Sequence, residues 1–259
     1  MPEPDSKQPL NIYSKKGSVT TVRNPVRNKI LQLLSDEDSV SFARIIEVTG
    51  LSKSTISGYV SSLEDGGLIA SVHNPDDGRK KNYVMTATLV GSITPTSHNG
   101  TSEFRELIRQ AYTHYDKIDY KQIIPHIIKV ALSEAGINID PILLRGGEVF
   151  GETIAVYLVA DTLEKTLENI VEFWHHYGFG EVKLKSFTPL QIEIYQCYEC
   201  MIMPKGSGKN CVISKGMLEA IFSAFYRERV YVEEIHCMTE NSECCCMEIS
   251  EPTGTAYRN

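Results

Sequence analysis

The sequence predicts a mixed fold, of the α+β or α/β class, divided into two domains. At 259 residues the chain is long for one compact unit, because domains usually run about 100 to 200 residues. Helical periodicity dominates the N-terminal part, whereas helices and alternating strands share the rest. All seven cysteines fall at or after Cys197, so the two parts also differ in composition.

Three short helices and a hairpin are predicted in the N-terminal part. Apolar residues recur there at three- and four-residue steps, Gly50 suits the end of the second helix, and Ser52 suits the start of the third. Asn-Pro-Asp-Asp-Gly then separates two β-prone runs and is typical of a hairpin turn. This order indicates a winged helix-turn-helix over residues 18–90. Its elements are helices over residues 24–34, 41–48 and 52–66 and strands over residues 68–72 and 81–85.

A linker is predicted over residues 91–101, where the sequence lacks periodicity and is rich in turn-forming residues. The larger domain follows over residues 102–252 and combines both kinds of element in an α/β or α+β sandwich. Its predicted helices cover residues 103–115, 123–135, 163–177 and 212–226, and its strands cover residues 182–187, 191–196, 230–236 and 246–249.

The outer face of the third helix is the candidate DNA-reading surface. In a winged helix-turn-helix this helix enters the major groove, while the hairpin touches the backbone or the minor groove. Small hydroxylated residues allow close approach, and cations at the hairpin attract phosphates. The alternative is a protein–protein module in which these residues are merely exposed. The candidates are Lys53, Ser54, Thr55, Ser57 and Tyr59 on the helix and Arg79, Lys80 and Lys81 on the hairpin.

The charge of the chain permits DNA binding without indicating it. The formal charge is −7, but residues 1–92 carry 11 Lys or Arg against 10 Asp or Glu, which gives +1. The remaining residues carry 15 against 23, which gives −8. A nearly neutral module can bind DNA if its cations share one face.

The third helix and its flanks resemble a known class of regulators. The stretch LSKSTISGYV at 51–60, followed by LEDGGLI at 63–69, resembles the arsenic-repressor and multiple-antibiotic-resistance type of bacterial and archaeal regulators. The resemblance covers roughly residues 24–86. It implies a homodimer that binds double-stranded DNA at inverted repeats.

The clustering of the cysteines favours a metal or redox site over a disulfide framework, which would spread an even number along a secreted chain. Cys211, Glu234, Cys237 and Cys245 form a candidate metal site, because Glu-x-x-Cys places two ligands at one strand end or turn and Cys245 returns on the next strand. Three thiolates and one carboxylate suit a closed tetrahedral zinc site.

The same pattern resembles the vinyl-reductase-type small-molecule-binding domain of bacteriochlorophyll-synthesis proteins and aromatic-sensing activators. There a cysteine that opens a helix, a Glu-x-x-Cys and a cysteine eight residues on hold zinc. In this chain Cys211 opens CVISKG, Glu234 follows 23 residues later, and Cys245 follows Cys237 by eight residues. The resemblance spans about residues 120–250. Cys244 and Cys246 flank Cys245, and either could replace it as the ligand.

A second cysteine motif, Cys-Tyr-Glu-Cys at residues 197–200, suits a reversible disulfide or a pair of metal ligands. The alternative is that most of these thiols are buried structural residues. With a DNA-binding domain in front, the chain resembles the methanogen-specific redox-responsive regulators, the MsvR family. That resemblance implies an archaeal protein whose cysteine oxidation alters operator binding. The redox candidates are Cys197, Cys200, Cys244 and Cys246.

Two other functions are weighed. A thiol oxidoreductase would use Cys197 and Cys200, but a DNA-binding domain would then be superfluous. A regulator without redox function would bind an aromatic or tetrapyrrole effector near Tyr157, Phe179 and Phe187. A zinc enzyme is not expected, because His-Glu-x-x-His is absent and four protein ligands leave no open position.

Two motifs are interpreted as surface features. Residues 205–210, KGSGKN, lack the first glycine and the hydroxyl of a phosphate loop, and His175 and His176 point about 100° apart on a helix. No apolar run reaches the roughly 18 residues that a membrane span needs, and the N-terminus lacks a secretory signal. A cytoplasmic protein without a membrane partner is therefore expected.

Overall fold

The computed structural model describes residues 8–15, 18–73, 81–94 and 120–250, together with residues 105, 108, 109, 112, 113 and 252. The chain divides into two compact units. One contains the described residues up to 94 together with Gly136–Pro141, and the other contains the remaining described residues. Helices and antiparallel sheets occur in both units, so the predicted α+β class is confirmed.

Three helices of the N-terminal unit pack around one apolar core. α1 (Pro25–Asp36), α2 (Phe42–Thr49) and α3 (Lys53–Asp65) follow the predicted bounds closely. The first begins at Asn24, whose side chain accepts hydrogen bonds from two backbone N–H groups of the first turn. Gly50 ends α2 in the left-handed conformation that glycine adopts without strain. Each helix buries apolar side chains against the others, among them Ile30, Leu34, Ile45, Ile56 and Leu63.

The hairpin of the winged helix-turn-helix lies beside these helices. Three strands form a sheet in the order β3-β5-β4, with β3 at Val40–Ser41, β4 at Ile69–His73 and β5 at Lys81–Met85. Strands β4 and β5 pair in antiparallel register, with His73 opposite Lys81. The turn between them, residues 74–80, lies outside the described residues. The winged helix-turn-helix prediction is confirmed by this element order.

A second sheet of the N-terminal unit was not predicted. Its strands, in the order β2-β1-β6-β7, are β1 (Leu10–Lys15), β2 (Ser18–Val22), β6 (Thr88–Ile93) and β7 (Ile137–Asn138). Residues 91–93, assigned to the linker, are therefore strand, and the part of the linker prediction from residue 95 onward lies outside the described residues. Gly91 suggested a turn, but it serves close approach, since a Cβ there would lie 2.7 Å from the carbonyl oxygen of Asn138.

The C-terminal unit packs helices against one face of a four-stranded antiparallel sheet. The strands run in the order β10-β11-β9-β8, and their bounds lie close to those predicted. The sheet core includes Ile192, Ile194 and Val232, against which Trp174 and Phe222 of the helices pack. The elements are α4 (Tyr120–Glu134), α5 (Asp140–Leu158), α6 (Leu163–His176), β8 (Glu181–Phe187), β9 (Leu190–Tyr195), α7 (Val212–Tyr226), β10 (Tyr231–His236) and β11 (Cys245–Ser250).

Helix α5 was missed by the sequence prediction because it contains three glycines, which weaken a helix in isolation. Two of them allow α5 to cross α7 with its backbone in near contact. A Cβ at Gly151 would lie 2.5 Å from the carbonyl oxygen of Met217, and one at Gly147 would clash with the backbone of Ile213. Gly216 makes the reciprocal approach from α7. The crossing fixes the N-terminal turn of α7.

Among the described residues, no helix combines the length and the apolar character that a membrane span requires.

Candidate functional site

The outer face of α3 presents the predicted DNA-reading residues to solvent. Lys53, Ser54, Thr55 and Ser57 are exposed, while Tyr59 is half-buried and packs against the apolar core. The face exists because Ile56, Val60 and Leu63 occupy the opposite side of the helix and are buried.

The first turn of α3 is organised by one hydroxyl group. The Oγ of Ser52 accepts a hydrogen bond from the backbone N–H of Thr55 at 3.3 Å. It also lies 3.0 Å from the Oγ of Ser54 and 2.8 Å from the Oγ1 of Thr55. These hydroxyl groups therefore start the helix together and are held at the end that a winged helix-turn-helix directs toward DNA.

Of the three candidate cations in the hairpin, Lys81 is exposed at the start of β5. Arg79 and Lys80 lie outside the described residues.

The cysteines and one glutamate of the C-terminal unit form a buried cluster. Five ligand atoms lie within 4.8 Å of one another, and all five residues are buried. They come from the loop after β9, the residue that starts α7, the end of β10 and the first residue of β11. The five are Cys200, Cys211, Glu234, Cys237 and Cys245. The structure thus brings together the four residues predicted as metal ligands and adds Cys200, which was grouped with the redox thiols.

The sulfur atoms of this cluster are in close contact. The Sγ of Cys200 lies 3.2 Å from that of Cys211 and 3.3 Å from that of Cys237. Cys237 and Cys245 are 3.8 Å apart at sulfur. The Sγ of Cys197 lies 3.5 Å from that of Cys211, which places both thiols of the Cys-x-x-Cys motif at the cluster.

Glu234 has an oxygen that no described residue satisfies. Its Oε2 accepts a hydrogen bond from the backbone N–H of Cys211 at 3.3 Å. Its Oε1 is buried and has no hydrogen-bond partner among the described residues. Burial, with a further contribution from the Cys237 thiol, raises the pKa of Glu234 to about 9. Because an unsatisfied buried acceptor is costly, this oxygen and the surrounding sulfurs fit a bound cation.

The cluster also favours the thiolate form of Cys237. Hydrogen bonds from the Cys200 and Cys211 thiols lower the pKa of Cys237 to about 5. The Oγ1 of Thr239 donates a further hydrogen bond to its sulfur at 3.0 Å. Thiolate is the form of cysteine that binds metal and attacks oxidants, so this arrangement suits either chemistry.

A buried carboxylate that the sequence analysis missed holds Cys211 in place. Both oxygens of Glu199 accept hydrogen bonds from the first turn of α7, from the backbone N–H of Ile213 at 2.9 Å and of Ser214 at 2.8 Å. Glu199 lies between the two cysteines of the Cys-x-x-Cys motif. It precedes the helix by more than ten residues, so no local capping pattern could have revealed it.

The three consecutive cysteines at residues 244–246 are separated by the pleat of the strand. Cys245 faces the cluster, and the backbone N–H of Met238 donates a hydrogen bond to its sulfur at 3.4 Å. Cys246 pairs in register with Glu193 and lies 3.7 Å from the Nζ of Lys185. Among these three, Cys245 therefore provides the sulfur atom of the buried cluster. Cys244 and Cys246, predicted as redox thiols, are not among its five residues.

The residues suggested for an aromatic effector are exposed or pack against other aromatic rings. Tyr157 is 80% exposed and Phe187 is 40% exposed. Phe179 packs instead against the rings of Phe173 and Tyr198. A cleft of about 630 Å³ in this unit is lined by charged side chains, including Arg145, Glu148, Glu152, Glu219 and Arg229.

Comparisons with known proteins give one family model and several partial matches. Residues 29–80 match the family model described as MarR family. An uncharacterized protein of Methanocaldococcus jannaschii is 25% identical over 85 residues, which are 33% of this chain and 53% of that protein. The chain therefore spans about half the length of this curated relative.

Three solved structures show partial similarity. The match to a vinyl-4-reductase family protein from Methanocaldococcus jannaschii spans 57% of this chain and 92% of that protein, with 14% identity and a TM-score of 0.35. The match to the phenol-responsive sensory domain of the transcription activator PoxR spans 77% of this chain and 90% of that domain, with 10% identity and a TM-score of 0.36. The match to BpsR of Bordetella bronchiseptica spans 40% of this chain and 60% of that protein, with 19% identity and a TM-score of 0.23. The DNA binding of BpsR is regulated by 6-hydroxynicotinic acid. Within the N-terminal unit, residues 29–80 are therefore similar to the MarR family, and the elements of this unit follow the order of a winged helix-turn-helix.

Proposed function

We propose that this protein is a DNA-binding transcription regulator whose operator binding is controlled by the redox state of its cysteine-rich domain, with zinc held in that domain. The observation that carries the proposal is the buried group of four thiols and a carboxylate in the same chain as an exposed helix-turn-helix face. A homodimer in the cytoplasm, on an inverted repeat, is part of the proposal. The MarR-type N-terminal unit supports the regulator over an enzyme.

The DNA contacts assigned here follow from the chemistry of each side chain. Lys53 supplies a cation at the start of α3, and Lys81, with Arg79 and Lys80, supplies cations from the hairpin toward phosphate. The exposed hydroxyl groups of Ser54, Thr55 and Ser57 donate to, or accept from, base edges and phosphates.

The buried cluster fits zinc because sulfur and carboxylate are ligands that zinc prefers, and a structural zinc ion takes four of them. Cys211, Cys237 and Cys245 supply three, and Glu234 or Cys200 supplies the fourth. Bound zinc would hold together the segments that carry these residues and stabilise their thiolates. With five donors for four positions, one of Cys200 and Glu234 is surplus.

The proposed redox step involves Cys200, the surplus thiol of the cluster. Cys197 and Cys200 form a disulfide, losing two protons and two electrons to a peroxide, which is reduced to water or an alcohol and water. Cellular thiols return the electrons and restore both cysteines. Oxidation removes Cys200 from the cluster and leaves Glu234 as the fourth donor. It also alters the segment that carries Glu199, and with it the start of α7.

The two alternatives receive less support from the geometry. A thiol oxidoreductase that uses Cys197 and Cys200 has no need of the helix-turn-helix that the same chain carries. An aromatic effector needs an apolar pocket, and the side chains suggested for it do not enclose one.

The test is an electrophoretic shift of the protein on the DNA upstream of its own gene, with reduced and peroxide-treated protein and with metal analysis of both. We expect the two states to differ in affinity, and Cys200→Ser to abolish the difference. Cys246→Ser is the matched control and keeps it, because Cys246 lies outside the cluster. Equal affinity of the two states in the wild type would reject the redox control.

DNA reading is tested separately by Thr55→Ala in reduced protein. Loss of one base contact weakens operator binding by about 1–3 kcal/mol. Lys165→Ala, on an exposed helix of the other unit, is the control and leaves binding unchanged. Unchanged binding by Thr55→Ala and Lys53→Ala together would remove α3 as the reading helix.

A further inference from the structure

A second group of ligand atoms lies outside the buried cluster. One ligand atom each from Glu193, His236 and Cys244 lies within 4.8 Å of the others. Glu193 is on β9, His236 ends β10, and Cys244 immediately precedes β11. The register of the sheet brings Glu193 and His236 close together, because Cys246 of the central strand β11 pairs with Glu193 on one side and with His236 on the other.

The surroundings of this group differ from those of the buried cluster. Glu193 and His236 are half-buried, so an ion can reach them from solvent, whereas Cys244 is 6% exposed. None of the three belongs to the buried cluster. A thiol, an imidazole and a carboxylate together form a mixed donor set, which suits zinc, cobalt or nickel rather than calcium or magnesium.

Neighbouring side chains orient the carboxylate of Glu193. The Oη of Tyr195 donates a hydrogen bond to its Oε2 at 2.9 Å, and the Nζ of Lys185 lies 3.8 Å from its Oε1. Metal-binding carboxylates and imidazoles are usually fixed by hydrogen bonds of this kind from a surrounding shell. Lys185 is more than a third exposed, so its cation can turn to solvent when another cation binds.

We propose that Glu193, His236 and Cys244 form a second transition-metal site, with three protein ligands and a fourth position open to water or a small ligand. It binds a divalent ion of the zinc, cobalt and nickel group. With three ligands on a half-exposed sheet face, it holds its metal less tightly than the buried cluster and exchanges it with solvent. The proposal is independent of the redox function.

The test is a cobalt titration of the metal-free, full-length protein under reducing conditions, with the absorbance of the thiolate–cobalt bands as the signal. We expect two equivalents to bind. The first gives the large absorbance of several thiolates, and the second gives the smaller absorbance of one.

Substitutions assign the second equivalent. His236→Gln and Cys244→Ser each weaken it by more than about 100-fold, because losing a ligand costs more than losing a surrounding partner. Tyr195→Phe weakens it about 10-fold. Cys246→Ser is the matched control on the same sheet face and retains both equivalents. His236 is half-buried, so its variant gives a test that does not replace a buried side chain.

Two results would overturn the proposal. One is a wild-type protein that binds a single equivalent of cobalt up to millimolar concentration. The other is a second equivalent that His236→Gln and Cys244→Ser leave unchanged in affinity and absorbance.

Discussion

The two faces of the C-terminal sheet hold ligand atoms in opposite settings. The face toward the helices carries a buried group of thiols around Glu234, and the other face carries a half-buried mixed set around Glu193. Of the three consecutive cysteines, Cys245 belongs to the first group and Cys244 to the second, because neighbouring residues of a strand point to opposite faces. The comparison teaches that the pleat, more than the number of cysteines, decides which thiols can share an ion.

Substitution of each of the three cysteines gives the largest expected contrast. With free zinc at about a thousand times its dissociation constant, a bound ion adds about 4 kcal/mol to the free energy of unfolding. We expect Cys245→Ser to lose most of this increment, Cys244→Ser to lose a smaller part, and Cys246→Ser to keep it. Denaturant unfolding with and without a chelator measures the difference. Equal losses in all three variants would mean that the two faces are not distinct.

The second largest expected change in the free energy of unfolding comes from substitutions where α5 crosses α7. Gly147→Ala places a methyl group against the backbone of Ile213, and overpacking of this kind costs about 1–3 kcal/mol. Gly146→Ala meets nothing within 4 Å and should instead stabilise α5 by about 0.5–1 kcal/mol. Urea denaturation of both variants measures the changes. Stabilisation by both would show that α5 and α7 do not approach so closely.

Substitution of Glu199, the carboxylate that caps α7, gives the smallest expected change in the free energy of unfolding. Glu199→Gln keeps one of the two acceptors at the start of α7, and loss of a cap of this kind costs about 1 kcal/mol. Glu233→Gln, at an exposed position on β10, changes the free energy of unfolding by less than about 0.5 kcal/mol. If the two variants unfold at the same denaturant concentration, Glu199 does not fix the helix.

Much of the buried cluster could be predicted because most of its ligand residues follow a recognisable spacing along the sequence. Glu-x-x-Cys, with cysteines before and after it, indicates Glu234, Cys237 and Cys211 without knowledge of the fold, but it leaves Cys244, Cys245 and Cys246 as alternatives for the last ligand. Cys200 could not be assigned in that way, because its place beside Cys211 depends on a loop between β9 and α7. Glu193 and His236 are 43 residues apart, and only the pairing of three strands brings them together.

The fold shows the same division between local and distant information. Caps and apolar periodicity predicted α1, α2 and α3 closely, since each helix carries its own start and stop signals. Strands β1, β2 and β7 are short or half-exposed and have no strong alternation, so their pairing with β6 was not visible. Helix α5 was missed because its glycines serve packing against α7 rather than local helix stability.

The pairing of β7 with β6 makes the N-terminal unit discontinuous along the chain. Its last strand is supplied by residues that come after α4, from Gly136–Pro141. A fragment cut after residue 97 would therefore leave Ser92 and Ile93 at an unpaired sheet edge, where strands of other copies can add. An isolated N-terminal fragment of this protein would need to carry both stretches to reproduce the native sheet.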